Sequence, residues 1–131
     1  MIGSEHLSHA VSTSTTGGRV IGEELSSALV AAHNELGVKS VRAHGILCDD
    51  LAVYREVDGE PVHDFTGVDR VYDHIRSLGL YPVVEISFMP HDLASDPTKK
   101  VFDYEAIVSP PKDWDRGHDL VRDLVQHVVD R

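Results

Sequence analysis

Tyr81-Pro82-Val83-Val84-Glu85-Ile86-Ser87-Phe88 is the stretch that decides the fold. It is apolar almost throughout, rich in β-branched and aromatic residues, and too short for a helix of ordinary length, so it reads as a strand. A nearly unbroken apolar run suggests burial on both faces, the habit of strands in parallel sheets. Glu85 is the one charge inside the run, and a carboxylate in such a place needs a partner.

Working outward, Val68 to Leu78 precedes this strand as a helix. Val68, Val71, Tyr72, Ile75 and Leu78 recur at helical spacing. Thr66 is the expected N-cap, Asp69 suits the first turn, and Gly79 is the expected stop. Further back, Val38 to His44 reads as a strand, with Val41 and Ala43 on one face and Ser40, Arg42 and His44 on the other. Glu23 to Leu36 reads as a helix with Leu25, Ala28, Leu29, Ala32 and Leu36 on one face and Gly37 as its stop. A last helix runs from about Trp114 to Val129, with Trp114, Val121, Leu124, Val125 and Val128 as its inner face. Residues 1–22 are polar and carry a weaker strand signal over 9–14. The order strand–helix–strand–helix–strand–helix argues for an α/β fold with a parallel sheet and right-handed crossovers. The segments 45–65 and 89–113, which follow strands, read as long loops, the place where such folds put their chemistry. Within the first, 53–57 reads as a short strand arm ending at the turn signal Asp58-Gly59.

Composition narrows the function. The chain has 131 residues, 41% hydrophobic and 26% charged, with a formal net charge of −10. That is one domain's worth of length. So acidic a surface repels phosphate backbones and anionic membranes, so no nucleic acid and no membrane is expected as a partner. No stretch approaches the ~18 apolar residues of a membrane helix. Met1 to His6 lacks the pattern of a secretion signal, and the single cysteine, Cys48, cannot form an internal disulfide. A reduced, cytoplasmic setting is therefore expected. Neither GxGxxG nor GxxxxGK[ST] occurs, which disfavours a small flavodoxin-like nucleotide domain. The nine histidines show no metal-ligand spacing, so no metal and no cofactor is expected.

Six blocks carry a resemblance. They are Val41-Arg42-Ala43-His44-Gly45-Ile46-Leu47-Cys48-Asp49-Asp50, Tyr54-Arg55-Glu56-Val57, Phe65 to Asp73, Glu85 to Pro90, Leu93-Ala94-Ser95 and Ser109-Pro110-Pro111-Lys112-Asp113-Trp114. In this order and spacing they resemble glycoside hydrolase family 39, the β-xylosidases and α-L-iduronidases, from about residue 17 onward and most closely over 38–131. The resemblance implies a TIM (β/α)8 barrel and a retaining glycosidase, commonly acting on β-xylosides. Retention uses two carboxyl groups ~5–5.5 Å apart. In the family the acid/base glutamate sits in an Asn-Glu-Pro motif at the end of the fourth strand, and the nucleophile at the end of the seventh. No Asn-Glu-Pro occurs here. A full barrel needs roughly 200 residues or more, so the chain is expected to form only the first three βα units, with a candidate first strand in the polar segment 1–22 and the partial barrel over 23–131. Both catalytic glutamates would then be missing, and the chain alone would be inactive. A non-catalytic sugar-binding or assembly module is the alternative.

Candidate site residues follow. Arg42 and His44, two apart on one strand, point the same way; the resemblance places both at the floor of the sugar site, His44 on sugar hydroxyls and Arg42 in contact or in support. Phe88 is implied to line the sugar subsite; as plain chemistry it could equally be a core ring. Asp49 and Asp50 are adjacent, so one is expected to cap the loop and the other to be solvated, with Asp49 kept as a candidate sugar contact. Glu85 is expected to support the site by pairing with Arg42 rather than to act in catalysis. Cys48 is expected to be a plain packed thiol. Gly117 replaces the large aromatic usual in the family, so a weakened last helix with a cavity beside it is expected, and Gly117→Trp should raise the melting temperature. An incomplete barrel should leave Val83 and Ala43 open on the inner sheet face, with self-association or a partner supplying the missing part.

Overall fold

Two-residue alternation along a short parallel strand separates a covered layer from an open one. The computed structural model describes residues 10–16 and 22–131. Strand β1 spans Ala10–Thr16, helix α1 Glu23–Leu36, β2 Ser40–His44, β3 Tyr54–Val57, β4 Glu60–His63, α2 Thr66–Ser77, β5 Tyr81–Val84, β6 Lys100–Val101, β7 Ala106–Ile107 and α3 Trp114–Asp130. β1, β2 and β5 form a three-stranded parallel sheet in that order, with Val41 beside Pro82 and Arg42 beside Val83. Val41 and Ala43 are buried, whereas Arg42 on the opposite face is exposed. The core gathers Val41 and Ala43 with Leu29 of α1, Val68, Val71 and Ile75 of α2, and Leu120 and Leu124 of α3. The fold is thus mixed α/β, with helices over one face of a parallel sheet.

The helices begin and end where local chemistry permits. Gly37 closes α1 in the left-handed conformation at φ 70°, donating its N–H to the Ala32 carbonyl. An L side chain rarely adopts that conformation, which is why glycine stands there. Asp113 caps α3 through the Arg116 N–H at 3.1 Å. At α2 the expected cap moves. Thr66 is the first helical residue, and the Asp64 carboxylate takes its N–H at 3.0 Å.

Several expectations need correction. β5 ends at Val84 rather than Phe88, and among the described residues it lies at the edge of the sheet with Tyr81 and Val84 part-exposed. Its apolar run is therefore not buried on both faces. Ala43, expected on the open inner face, lies under the helices; Val83 remains partly open. The loops contain two antiparallel hairpins, β3–β4 and β6–β7. The inner face of α3 is rotated: Leu120 and Leu124 are buried, but Trp114 is 72% exposed and Val125 is open. On α1 only Leu29 is fully buried, and Leu36 faces solvent. The strand signal over 9–14 corresponds to β1, apart from residue 9, which lies outside the described residues.

Glu56 ties the β3–β4 hairpin to the start of α3. Its carboxylate accepts from Lys112 Nζ, Arg116 Nη1 and Tyr54 OH, each at 2.9 Å. Arg116 also donates to the Gly59 carbonyl at the hairpin turn, at 2.9 Å. The Glu56 carboxyl is held below the usual range chiefly by the Lys112 hydrogen bond, with Tyr54 and Arg116 adding to it and partial desolvation opposing it. A carboxylate depressed in the folded state stabilises fully above its unfolded pKa, and that stability is lost as pH falls through the folded value. Glu56→Gln should lower the melting temperature at neutral pH by roughly 2–5 °C. It should also flatten the decline seen below about pH 4. A variant curve parallel to the wild type through the acid range would remove this role.

Gly117 does not break α3; its N–H reaches the Asp113 carbonyl at 3.1 Å. It borders an open groove of about 660 Å³ between α3 and the segment after β5. A Cβ there would lie 3.3 Å from two ring carbons of Pro111, so the expected benefit of Trp is limited by that ring. Gly117→Ala gains about 1 kcal/mol of helix propensity for a shift of a few tenths of an ångström. It should raise the melting temperature by about 3 °C, and more than Gly117→Trp does. Calorimetry showing a fall for Gly117→Ala would mean that Pro111 cannot yield.

Candidate functional site

At the C-terminal ends of β2 and β5 a histidine sits among three aromatic rings. His44, the last residue of β2, meets Phe88 edge-on at 5.9 Å and lies stacked near Phe102 at 6.5 Å and Tyr104 at 6.1 Å. Phe102 and Tyr104 stack on each other at 5.3 Å. The Tyr104 hydroxyl is 2.9 Å from His44 Nε2. Phe102 is 63% exposed, so one ring of the group is offered to solvent. Such rings present flat apolar faces, and His44 adds a polar group at their edge.

Below the rings, Arg42 Nη1 forms an ion pair with Glu85 Oε2. Side-chain exposures of 48% and 27% show that the pair lies partly open rather than sealed in the core. The neighbouring Ser87 hydroxyl lies 3.3 Å from Glu85 Oε1 and 3.0 Å from the Gly45 N–H, which it accepts. Glu85 is therefore engaged by a cation, and Arg42 has its charge matched on the same sheet face as His44.

Asp49 is placed differently. Its carboxylate accepts the His91 N–H at 3.1 and 3.2 Å, where a short 3₁₀ turn, His91–Leu93, begins. Asp49, with Asp50 and Cys48, lines a separate cavity of about 380 Å³ whose other wall includes Tyr104 and Lys100. The structure thus brings His44, Arg42, Phe88 and Glu85 to one end of the sheet, and gives Asp49 a capping bond between loops. Phe102 and Tyr104 were missed from sequence. They sit in the β6–β7 hairpin inside a segment read as loop, and the only signal was two aromatic residues two apart in a Pro- and charge-rich stretch.

Among the described residues, no three His, Cys, Asp or Glu side chains converge as a metal-binding group. No helix among them is long and apolar enough to cross a membrane.

Comparison with known proteins then defines the class. The model of glycosyl hydrolases family 39 matches residues 8–131. A β-xylosidase of Geobacillus stearothermophilus is 37% identical over 118 residues, covering 87% of this chain and 23% of the relative. A β-xylosidase of Caldicellulosiruptor saccharolyticus is 36% identical over 110 residues, covering 83% and 22%. Among solved structures, the family 39 enzyme of Xanthomonas axonopodis pv. citri superposes with a TM-score of 0.82 at 28% identity, over 91% of this chain and 23% of that one. A family 39 β-xylosidase of Caulobacter crescentus gives 0.82 and 28%, over 93% and 27%. The chain belongs to glycosyl hydrolases family 39. It spans about a quarter of the length of the relatives it matches.

Cys48 makes a testable contrast with the aromatic-and-histidine group. Burial pushes its thiol up to about 11, with the charges of Asp50 and Asp49 adding to the shift and a Phe88 backbone hydrogen bond opposing it. The thiolate is the reactive form. At about pH 8, Cys48 should be alkylated by iodoacetamide roughly two orders of magnitude more slowly than a free thiol. Reaction at the free-thiol rate would identify an activated cysteine instead.

Proposed function

We propose that this chain supplies the first three βα units of a retaining family 39 glycoside hydrolase acting on β-xylosides. The observation that carries the reading is the aromatic-and-histidine group at the C-terminal end of the sheet, in a chain that matches the family along nearly its whole length. In TIM barrels that end holds the active site. His44 would hydrogen-bond sugar hydroxyls, Phe88 would pack on the ring, and Arg42, held by Glu85, would shape the floor. Asp49 would act on the sugar indirectly, by fixing the loop after β2.

Retention requires a carboxylic acid and a carboxylate ~5–5.5 Å apart, one protonating the leaving oxygen and one attacking the anomeric carbon. Glu85 is matched to Arg42 and suits neither role. Both catalytic groups would come from further barrel units, so the 131 residues alone would bind sugar without cleaving it. That binding-only behaviour is also what a sugar-binding module would show. Assembly with the remaining barrel units separates the two readings, because only a glycosidase gains hydrolysis from it.

The open flank fits the same picture. β5 is a sheet edge, and Ile86, Trp114, Val121 and Val125 line the groove beside it. A sheet edge next to an apolar groove favours association, either with a second copy or with the missing barrel half. Sedimentation velocity should show concentration-dependent association; a compact monomer across the range would count against it. Xylose or xylobiose should perturb the His44 and Phe88 NMR signals with no hydrolysis of an aryl β-xyloside. Silence at both residues up to high millimolar sugar would reject the sugar site.

A further inference from the structure

The contact between Tyr104 and His44 determines more than the packing of two rings. A neutral imidazole carries one N–H and one bare nitrogen, and which nitrogen holds the proton decides what it can offer a ligand. His44 Nε2 faces the Tyr104 hydroxyl at 2.9 Å. Two arrangements are possible: the phenol donates to Nε2, or Nε2–H donates to the phenol oxygen. A phenol is a strong donor, and its oxygen lone pairs are weakened by the ring. An imidazole nitrogen is the better acceptor of the two.

We propose that Tyr104 is a positioning residue that fixes the proton of His44 on Nδ1, so that Nδ1–H is the donor presented to an oxygen of the bound sugar. The proposal rests on the reading of His44 as a sugar contact. Among the described residues, His44 makes no other side-chain hydrogen bond, so Nδ1 is available for a ligand. A partner on one ring nitrogen setting the tautomer at the other is the device that orients metal-bound histidines. Here it would serve a hydroxyl acceptor.

The hairpin is built to hold the phenol in place. β6 and β7 pair Lys100 with Ile107 and Val101 with Ala106. Met89 N–H bonds the Ile107 carbonyl and Val108 N–H the Lys99 carbonyl, both at 3.0 Å. Phe102 and Glu105, flanking the tip, adopt φ 64° and 54°, a left-handed conformation that is uncommon for non-glycine residues and rare for a bulky one. That tight turn carries Tyr104 back over His44, with the ring planes 26° apart. Phe102 stacks on it at 5.3 Å and Phe88 lies 6.3 Å away, so two further rings border the phenol.

The test uses the ¹⁵N-labelled chain at about pH 8.5, where a free imidazole is neutral. Long-range ¹H–¹⁵N correlation reports the tautomer of each histidine, and His44→Gln assigns the His44 signals. The wild type should show His44 as the Nδ1–H form. Tyr104→Phe keeps the ring and removes the hydroxyl; it should lose the tautomer preference and bind xylose roughly fivefold more weakly, with amide spectra showing the fold intact. A wild-type Nε2–H form, or an unchanged tautomer in Tyr104→Phe, overturns the proposal. If that variant fails to fold, the wild-type tautomer and a scalar coupling between the phenolic proton and Nε2 decide the matter. A correct tautomer with no response of Nδ1 to xylose leaves Tyr104 as a positioning residue but overturns the sugar contact, so the two failures are told apart.

Discussion

The alternation of β2 governs both halves of the molecule. Val41 and Ala43 face the helices and join the core, which forces Arg42 and His44 to the other side of the sheet. A one-residue slip in register would bury the charged pair and expose the core residues, so hydrophobic burial on one face fixes the chemistry on the other. The parallel register with β5 extends this to a second strand. Val83 lies beside Arg42, and Glu85, two residues on, reaches the guanidinium. The ion pair therefore follows from strand phase, and the core energy that sets the phase is spread over three helices.

How much of this was legible in the sequence depended on periodicity. α1 was readable to the residue, because fourteen residues of helical spacing end at a glycine. The alternation of strands and helices along the chain was readable from the switch between two-residue and helical spacing. β5 was drawn too long, because an apolar run cannot say whether a neighbour is present to cover it. β4, β6 and β7 were missed: Glu60-Pro61-Val62-His63 offers a proline and little apolar signal, and β6 and β7 are two residues long each. The face of α3 was misread at Trp114, whose ring lies outside the contact with the core.

The site divides along the same line. Arg42, His44, Glu85 and Phe88 lie on or just beyond sheet strands, so their placement could be argued from two-residue spacing. Phe102 and Tyr104 reach His44 through non-glycine residues in left-handed conformations, and nothing in residue type announces such turns. Asp49 was open in sequence between capping and sugar contact. Its bond to the His91 N–H is a tertiary contact across forty-two positions, which local pattern does not carry.

That bond belongs to a set. The Leu47 N–H meets the Ser87 carbonyl at 2.8 Å, the Gly45 N–H meets the Ser87 hydroxyl, and Asp49 holds His91. The connections leaving β2 and β5 are thus stitched to each other at three points before either reaches its next element. They are one mechanical part, although the chain visits them separately. An exchange of either loop with a relative would import half of a matched pair, and the strand ends, His44 included, would lose their shared footing. Recombination in this region would have to carry residues 45–49 and 87–91 together to keep the floor of the site level.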